Sequence, residues 1–232
     1  MRILALIPAR GRSERVPGKN LRPLGGRPLV TWSIASAAGL PGLCDTLVST
    51  DSPDIAQCAG NAGALVPWLR PAALATDMVS TVDVALHAVD WYEETHGAVD
   101  GLLLLQPTSP FRRHDSLVRG CGLFADHAHR PVIGVSPATS HPMWCFRLEE
   151  GALRLFVEGG GDLRSQDLPP AYVINGAFYL VPPTQLRTER AFLRDDMVPL
   201  VMDQPVEALD IDTEWDWQLA QAMLATGAVP VR

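Results

Sequence analysis

The chain has 232 residues, 47% hydrophobic and 19% charged, enough to bury one sizeable core in a single domain spanning residues 1–232. Nineteen basic against 26 acidic residues leave a net charge of −7, which excludes a sequence-independent nucleic-acid binder, whose surface has to be basic. No apolar run approaches the roughly 20 residues of a membrane span, and the run at residues 3–7 stops at Pro8, short of a secretory leader, so the expectation is a cytoplasmic protein with no nucleic-acid and no membrane partner.

The first element is a continuous apolar strand at residues 3–7. Residues 29–38 predict a helix, stopped by Gly39 and Pro41; 46–50 predict a second strand. Asp51-Ser52 supplies a cap for a helix over 53–61, and 64–68 predict a short third strand. Val82, Ala85, Leu86 and Val89 give helical spacing to 81–94. Another continuous apolar strand follows at 101–106, then a helix at 116–128 and a strand at 131–136. Continuous apolar strands alternating with helices predict an α/β fold, with a mainly parallel sheet flanked by helices. Between 140 and 170 helical periodicity is lost: Trp144, Phe146, Leu153, Leu155 and Phe156 alternate with polar residues, and glycines and prolines punctuate the stretch. It predicts a small antiparallel excursion within the one domain. A core strand at 172–181 and a last helix at 215–225 complete the chain. Ligands of such sheets bind outside the carboxyl ends of the strands, so the loops after Ile7, Thr50, Gln106 and Asn175 are expected on one face. Cys44, Cys58, Cys121 and Cys145 are scattered without metal-ligand spacing and read as reduced thiols. His127 and His129 read as part of a solvated turn.

Two segments carry unusual chemistry. The first strand runs into Pro8-Ala9-Arg10-Gly11-Arg12-Ser13-Glu14-Arg15-Val16-Pro17-Gly18-Lys19-Asn20, with four cations between Arg10 and Lys19. Glycines let backbone N–H groups approach phosphate oxygens, and Arg10 and Lys19 can neutralise a triphosphate and its leaving pyrophosphate. The spacing matches neither common glycine-rich nucleotide fingerprint; the bland alternative is a solvated basic loop. Near the other end, Asp210-Ile211-Asp212 in extended backbone puts two carboxylates on one face. They repel unless a cation lies between them, and magnesium accepts one or two carboxylates plus phosphate oxygens and water. Their alternative is a solvated acidic pair beside a helix cap, with Asp216 structural.

These segments, with Ser49-Thr50-Asp51, Arg70-Pro71-Ala72-Ala73-Leu74-Ala75-Thr76-Asp77, Gln106-Pro107-Thr108-Ser109-Pro110-Phe111-Arg112, Asn175-Gly176-Ala177-Phe178-Tyr179 and the closing Asp210-Ile211-Asp212-Thr213, resemble N-acylneuraminate cytidylyltransferases over nearly the whole chain. The resemblance implies a Rossmann-like sheet of the nucleotide-diphospho-sugar transferase type and transfer of CMP from CTP to a sialic-acid-like nonulosonic acid, with Mg²⁺ on Asp210 and Asp212. It implies nucleotide contacts from Arg10, Gly11, Ser13, Arg15, Lys19, Asn20, Arg70, Asp77, Ser80 and Thr81, and catalytic roles for Arg10, Lys19 and Asp212. Acceptor contacts fall to Gln106, Thr108, Ser109, Arg164, Asn175 and Tyr179. It further implies a homodimer in which 140–170 forms an arm reaching the neighbouring site. The chain departs from the family pattern at Glu14-Arg15, where Lys-Gly is usual, and at Ser165, where an arginine is usual and Arg164 stands one place earlier. The base is unassigned; Asp212 and a metal-bound hydroxide both fit. The rival readings are a nucleotidyltransferase for another sugar or polyol phosphate and a non-catalytic nucleotide-binding regulator.

Overall fold

The computed structural model describes residues 1–76, 78–157 and 164–229. Its strands and helices are, in chain order, β1 (Ile3–Pro8), β2 (Pro23–Leu24), β3 (Arg27–Pro28), α1 (Leu29–Ala37), β4 (Leu43–Ser49), α2 (Pro53–Asn61) and α3 (Thr81–His96). Then come β5 (Gly101–Leu104), α4 (His114–Asp126), β6 (Val132–Pro137), β7 (Phe146–Glu149), β8 (Ala152–Leu155), β9 (Tyr172–Val181), α5 (Pro183–Glu189), β10 (Val198–Val201) and α6 (Glu214–Ala225).

The central sheet has six strands in the order β10-β6-β9-β5-β1-β4. β1 pairs parallel with β4 and β5, β10 pairs parallel with β6, and β9 runs antiparallel to both β5 and β6. All strands but β9 therefore point one way. Both faces are covered, as continuous apolar strands require. On β1, Ile3, Ala5 and Ile7 join a core cluster with Val30 and Ile34 of α1, Ile55 of α2 and Leu117 of α4. Leu4 and Leu6 face the other way, into a cluster with Val82, Leu86 and Val89 of α3 and Leu186 of α5. α4 packs closely enough that a Cβ on Gly120 would lie 2.5 Å from Phe178 Cζ. A third cluster joins Val16, Leu24, Trp32, Phe111, Ile211 and Trp217.

Local chemistry sets the helix starts. Ser52 accepts the Ile55 N–H with Pro53 in the first turn, Ser80 accepts the Asp83 N–H, and Thr213 with Asp216 forms a capping box for α6.

Two expectations are corrected. Residues 64–68 form no strand; a single parallel bridge joins Leu47 and Leu65, and Pro67 has no N–H to extend it. Asn175 precedes no loop: it lies inside β9 and reaches the carboxyl edge because β9 runs backwards. The register slips there, so that Ile133 opposes Tyr179 while Val135 opposes Ile174. Gly176, at φ +73°, makes a bulge where Asn-Gly reads as a turn. Two further elements, β10 and α5, lie where the sequence shows no periodic signal. The 140–170 excursion is antiparallel as expected, with β7 paired to β8. Among the described residues no helix is long and apolar enough to cross a membrane.

Candidate active site

The loop that follows β1 is held from several sides. The Ala9 N–H donates to Ser49 O at 2.9 Å, and the Gly11 N–H to Asp51 Oδ1 at 2.8 Å. Gly11 lies so close to α2 that a Cβ would stand 3.0 Å from Ser52 Cβ. Asn20 Nδ2 donates to Arg10 O at 2.8 Å, and Val16 is buried in the third cluster. Asp51 and Ser52 thus divide two tasks, the first bracing the loop and the second capping α2.

The Asp-Ile-Asp segment meets this loop across 192 positions of sequence: Lys19 Nζ donates to Ile211 O at 2.7 Å. The same ammonium lies 3.7 Å from Asp212 Oδ1, and Arg15 Nη2 lies 3.2 Å from Asp212 Oδ2. Alternation in extended backbone produces the meeting. Ile211 turns inward onto Val16 and Trp217, and its N–H donates to Thr108 O at 2.8 Å. Asp210 and Asp212 turn outward into the cleft. Burial pushes the Asp210 carboxyl above its usual range, a bond from Thr108 opposes this, and Asp212 adds to it. Burial lowers the Lys19 pKa against the attraction of Asp212 and Asp210. Asp216 is structural: burial opposes its ionisation, but bonds from Thr213 and the Asp212 N–H outweigh this and hold its carboxyl below the usual range.

The cleft has two adjoining parts that share Pro8, Arg10, Pro107, Thr108 and Asp212. One, of about 330 Å³, is walled by Arg12, Ser13, Glu14, Arg15, Lys19 and Asn20. The other, of about 340 Å³, is walled by Arg70, Thr76, Thr81, Gln106 and Asp210 together with the apolar Leu74, Val79 and Val84. A cationic compartment beside a mixed apolar and polar one suits a nucleotide, phosphates in the first and nucleoside in the second. Arg70 is buried, its Nε donating to Ser49 Oγ at 3.1 Å and its Nη2 to Ser49 O at 2.5 Å.

The cleft therefore gathers Arg10, Ser13, Arg15, Lys19, Asn20, Arg70, Thr81, Gln106, Thr108, Asp210 and Asp212, with Gly11 in its loop. Other expected contacts face elsewhere. The Ser80 hydroxyl caps α3 and donates to Asp83 Oδ2 at 2.6 Å. Asn175 is buried, its Nδ2 donating to Ser136 Oγ at 3.1 Å and its Oδ1 accepting from the Ala177 N–H at 3.1 Å. Ser109 Oγ is buried with no hydrogen-bond partner among the described residues. Tyr179 packs edge-on against Phe192, and burial raises its phenol pKa, with the Asp210 charge adding to the rise. Arg164 sits outside the cleft, exposed, with its Nε 2.8 Å from Asp167 Oδ2. Asp77 lies outside the described residues. The apolar wall of Leu74, Val79 and Val84, and Gly176 at the base of the cleft, have no signal in the sequence beyond the segments that contain them.

Among the described residues no group of three or more His, Cys, Asp or Glu side chains could hold a metal ion, so a closed structural centre is not built here. Two outward carboxylates fit a hard divalent cation that completes its shell with phosphate oxygens and water.

The sequence model of a family described as cytidylyltransferase matches residues 4–116. The CMP-N,N'-diacetyllegionaminic acid synthase of Legionella pneumophila subsp. pneumophila is 36% identical over 225 residues, covering 97% of each chain. The pseudaminic acid cytidylyltransferase of Campylobacter jejuni subsp. jejuni is 29% identical over 229 residues, covering 96% of each. Among solved structures, CMP:2-keto-3-deoxy-manno-octonic acid synthetase complexed with CTP superposes with a TM-score of 0.70 at 16% identity, covering 97% of this chain and 99% of the other. That last likeness is one of fold.

Proposed function

Because the chain belongs to the sialic-acid CMP-synthetase family of cytidylyltransferases, we propose that its cleft joins CMP from CTP to the anomeric hydroxyl of a sialic-acid-like nonulosonic acid, releasing pyrophosphate. The observation that carries the assignment of residues is the contact between the cationic loop and the acidic pair, Lys19 Nζ standing 2.7 Å from Ile211 O and 3.7 Å from Asp212.

The acceptor hydroxyl attacks the α-phosphorus; a new O–P bond forms as the bond to the β-phosphate oxygen breaks. Arg10, Arg15 and Lys19 line the phosphate compartment and neutralise charge that grows on the leaving pyrophosphate. The Ser13 backbone N–H adds a donor to the same oxygens, while Gly11 lends its own N–H to Asp51 and so fixes the loop. Arg70 and Thr81, with the apolar wall, hold the nucleoside. Gln106 and Thr108 orient the acceptor, with Ser109, Asn175 and Tyr179 behind them. The hydroxyl proton passes to Asp212 on the open side of the cleft. Asp210 and Asp212 would hold Mg²⁺, which neutralises phosphate charge and acidifies the attacking hydroxyl when bound.

The 140–170 arm is proposed to dimerise. Phe146 opposes Leu155 and Leu148 opposes Leu153, so one face of the hairpin is wholly apolar; Phe146, Leu148 and Leu153 on it are exposed and Leu155 is half-buried. Tyr172, Val173 and Ile174, at the start of β9, are exposed apolar residues as well. A second copy would cover the hairpin face, with Arg164 of one protomer serving its partner's acceptor. Four free cysteines support a reducing, cytoplasmic setting.

Pyrophosphate release with CTP and a panel of nonulosonic acids (N-acetylneuraminate, legionaminate, pseudaminate and a deaminated relative) tests the reading. Turnover with at least one of them, and none with UTP or a sugar phosphate, is expected. Turnover with sugar phosphates alone, or CTP binding without turnover, would overturn it.

A further inference from the structure

Arg112 ends the turn that follows β5, and it is buried, with 8% of its surface exposed. Its Nε donates to Ala177 O at 2.6 Å, its Nη1 to Ser33 Oγ at 3.0 Å and its Nη2 to Gln106 O at 2.6 Å. All three acceptors are neutral. Burying a guanidinium without a hydrogen-bonded carboxylate is costly, and burial pushes this one down to about 9; Asp210 opposes that shift through space. Packing alone would be served by an apolar side chain of similar length, so the charge and its donors call for another explanation.

The three acceptors supply it. Gln106 follows β5, and its side chain lines the cleft. Ala177 follows Gly176, the bulge glycine, where an added Cβ would lie 3.0 Å from Ser109 Oγ, 3.3 Å from Gln106 Oε1 and 4.0 Å from the Asp210 carboxyl carbon. Ser33 stands on α1, and its hydroxyl is 3.4 Å from Gln106 O. One planar cation thus ties the end of β5, the bulge of β9 and helix α1 together directly behind Gln106, one of the two side chains proposed above to orient the acceptor. Its hydrogen bonds among the described residues reach neither the 9–20 loop nor Arg70.

We propose that Arg112 is a positioning residue for the acceptor: a buried strut that fixes the floor made by Gln106 and Gly176, so that the sugar acid is held in line with the α-phosphate while the nucleotide compartment stands without it. The proposal rests on the CMP-transfer reading above. It explains why a cation is buried where only carbonyls and a hydroxyl receive it. Arginine's fork reaches three acceptors at fixed angles, which a lysine ammonium does not reproduce in full.

The test compares R112M, which keeps the length and loses charge and donors, with R112K and S33A. R112M is expected to lower kcat/KM for the acceptor about 100-fold, the scale of an ångström misplacement. Its CTP affinity, measured by calorimetry without acceptor, should stay within about twofold of wild type. R112K should recover about tenfold of the loss. If circular dichroism shows R112M unfolded, S33A decides: acceptor kcat/KM should fall about three- to tenfold with CTP affinity unchanged. A folded R112M with wild-type acceptor kinetics, an equal loss of CTP affinity, or an S33A indistinguishable from wild type would each overturn the strut. A wild-type enzyme that releases no pyrophosphate with any nonulosonic acid would sink the CMP-transfer reading instead, and the strut with it.

Discussion

The base of the cleft and the β7–β8 hairpin differ in where their apolar residues go. Under the cleft, Val16, Ile211 and Trp217 are fully buried, and each belongs to a segment that also carries a charged or capping residue of the site. On the hairpin, Leu148 is 75% and Leu153 67% exposed, although they oppose one another across an antiparallel pair. The first arrangement is complete within one chain: hydrophobic burial of Ile211 drives Asp210 and Asp212 outward to meet Lys19. The second leaves an apolar face that a single chain does not cover, the mark of an interaction surface. On the reading proposed above, nucleotide chemistry falls to the individual chain and assembly to the arm.

Lys19→Met breaks the first half of this contrast. Removing one cation from a preorganised phosphate site should lower kcat/KM for CTP by about 10²–10³-fold; the mass in light scattering should not change. Combined Leu148→Asp and Leu153→Asp breaks the second half. Light scattering should report a single chain where wild type is expected to give twice that mass, and thermal stability of the sheet should be nearly unaltered because neither side chain enters a core cluster. An unchanged wild-type mass in that variant would remove the arm from the assembly.

Gly120→Ala sharpens the contrast from the core side. The new Cβ meets Phe178 and Leu200 at 2.5–2.9 Å, an overpacking that should cost about 1–3 kcal/mol and lower the melting temperature without moving the KM for CTP. A variant as stable as wild type would show that α4 is free to shift.

Glu207 gives the smallest effect. It is buried, accepts the Arg113 N–H at 3.0 Å and Ser116 Oγ at 3.1 Å, and so caps α4 from outside. Burial pushes its carboxyl above the usual range against these bonds. The folded chain then keeps a proton that the unfolded chain has lost, so the Glu207 contribution to stability falls as pH rises through the ordinary value of 4.5 to the higher folded value. Urea unfolding at several pH values should show Glu207→Gln gaining on wild type across that window. A constant difference would contradict it.

The sequence reveals what is buried on both faces or charged against expectation. β1, β4 and β5 are legible because a parallel strand covered on both sides must be continuously apolar. The 9–20 loop and Asp210-Ile211-Asp212 are legible because concentrated charge has few structural uses. β10 is not, since Val198-Pro199-Leu200-Val201 is an edge strand whose proline reads as a breaker. The direction of a polar side chain is not legible either. Asn175 and Ser109 read as ligand contacts, yet Asn175 bonds inward to Ser136 and Ala177, and Ser109 Oγ is sealed beneath Gly176. Arg112 stands in a matching motif, but its partners are two carbonyls and a distant serine, which no residue pattern announces.

The measurement closest to the central claim is turnover of CTP with a nonulosonic acid after Asp210 and Asp212 are both replaced by alanine. The meeting of acidic pair and cationic loop around one nucleotide predicts a loss of about 10³-fold or more, in a protein whose circular dichroism and melting remain close to wild type. Turnover that survives the double replacement would contradict it.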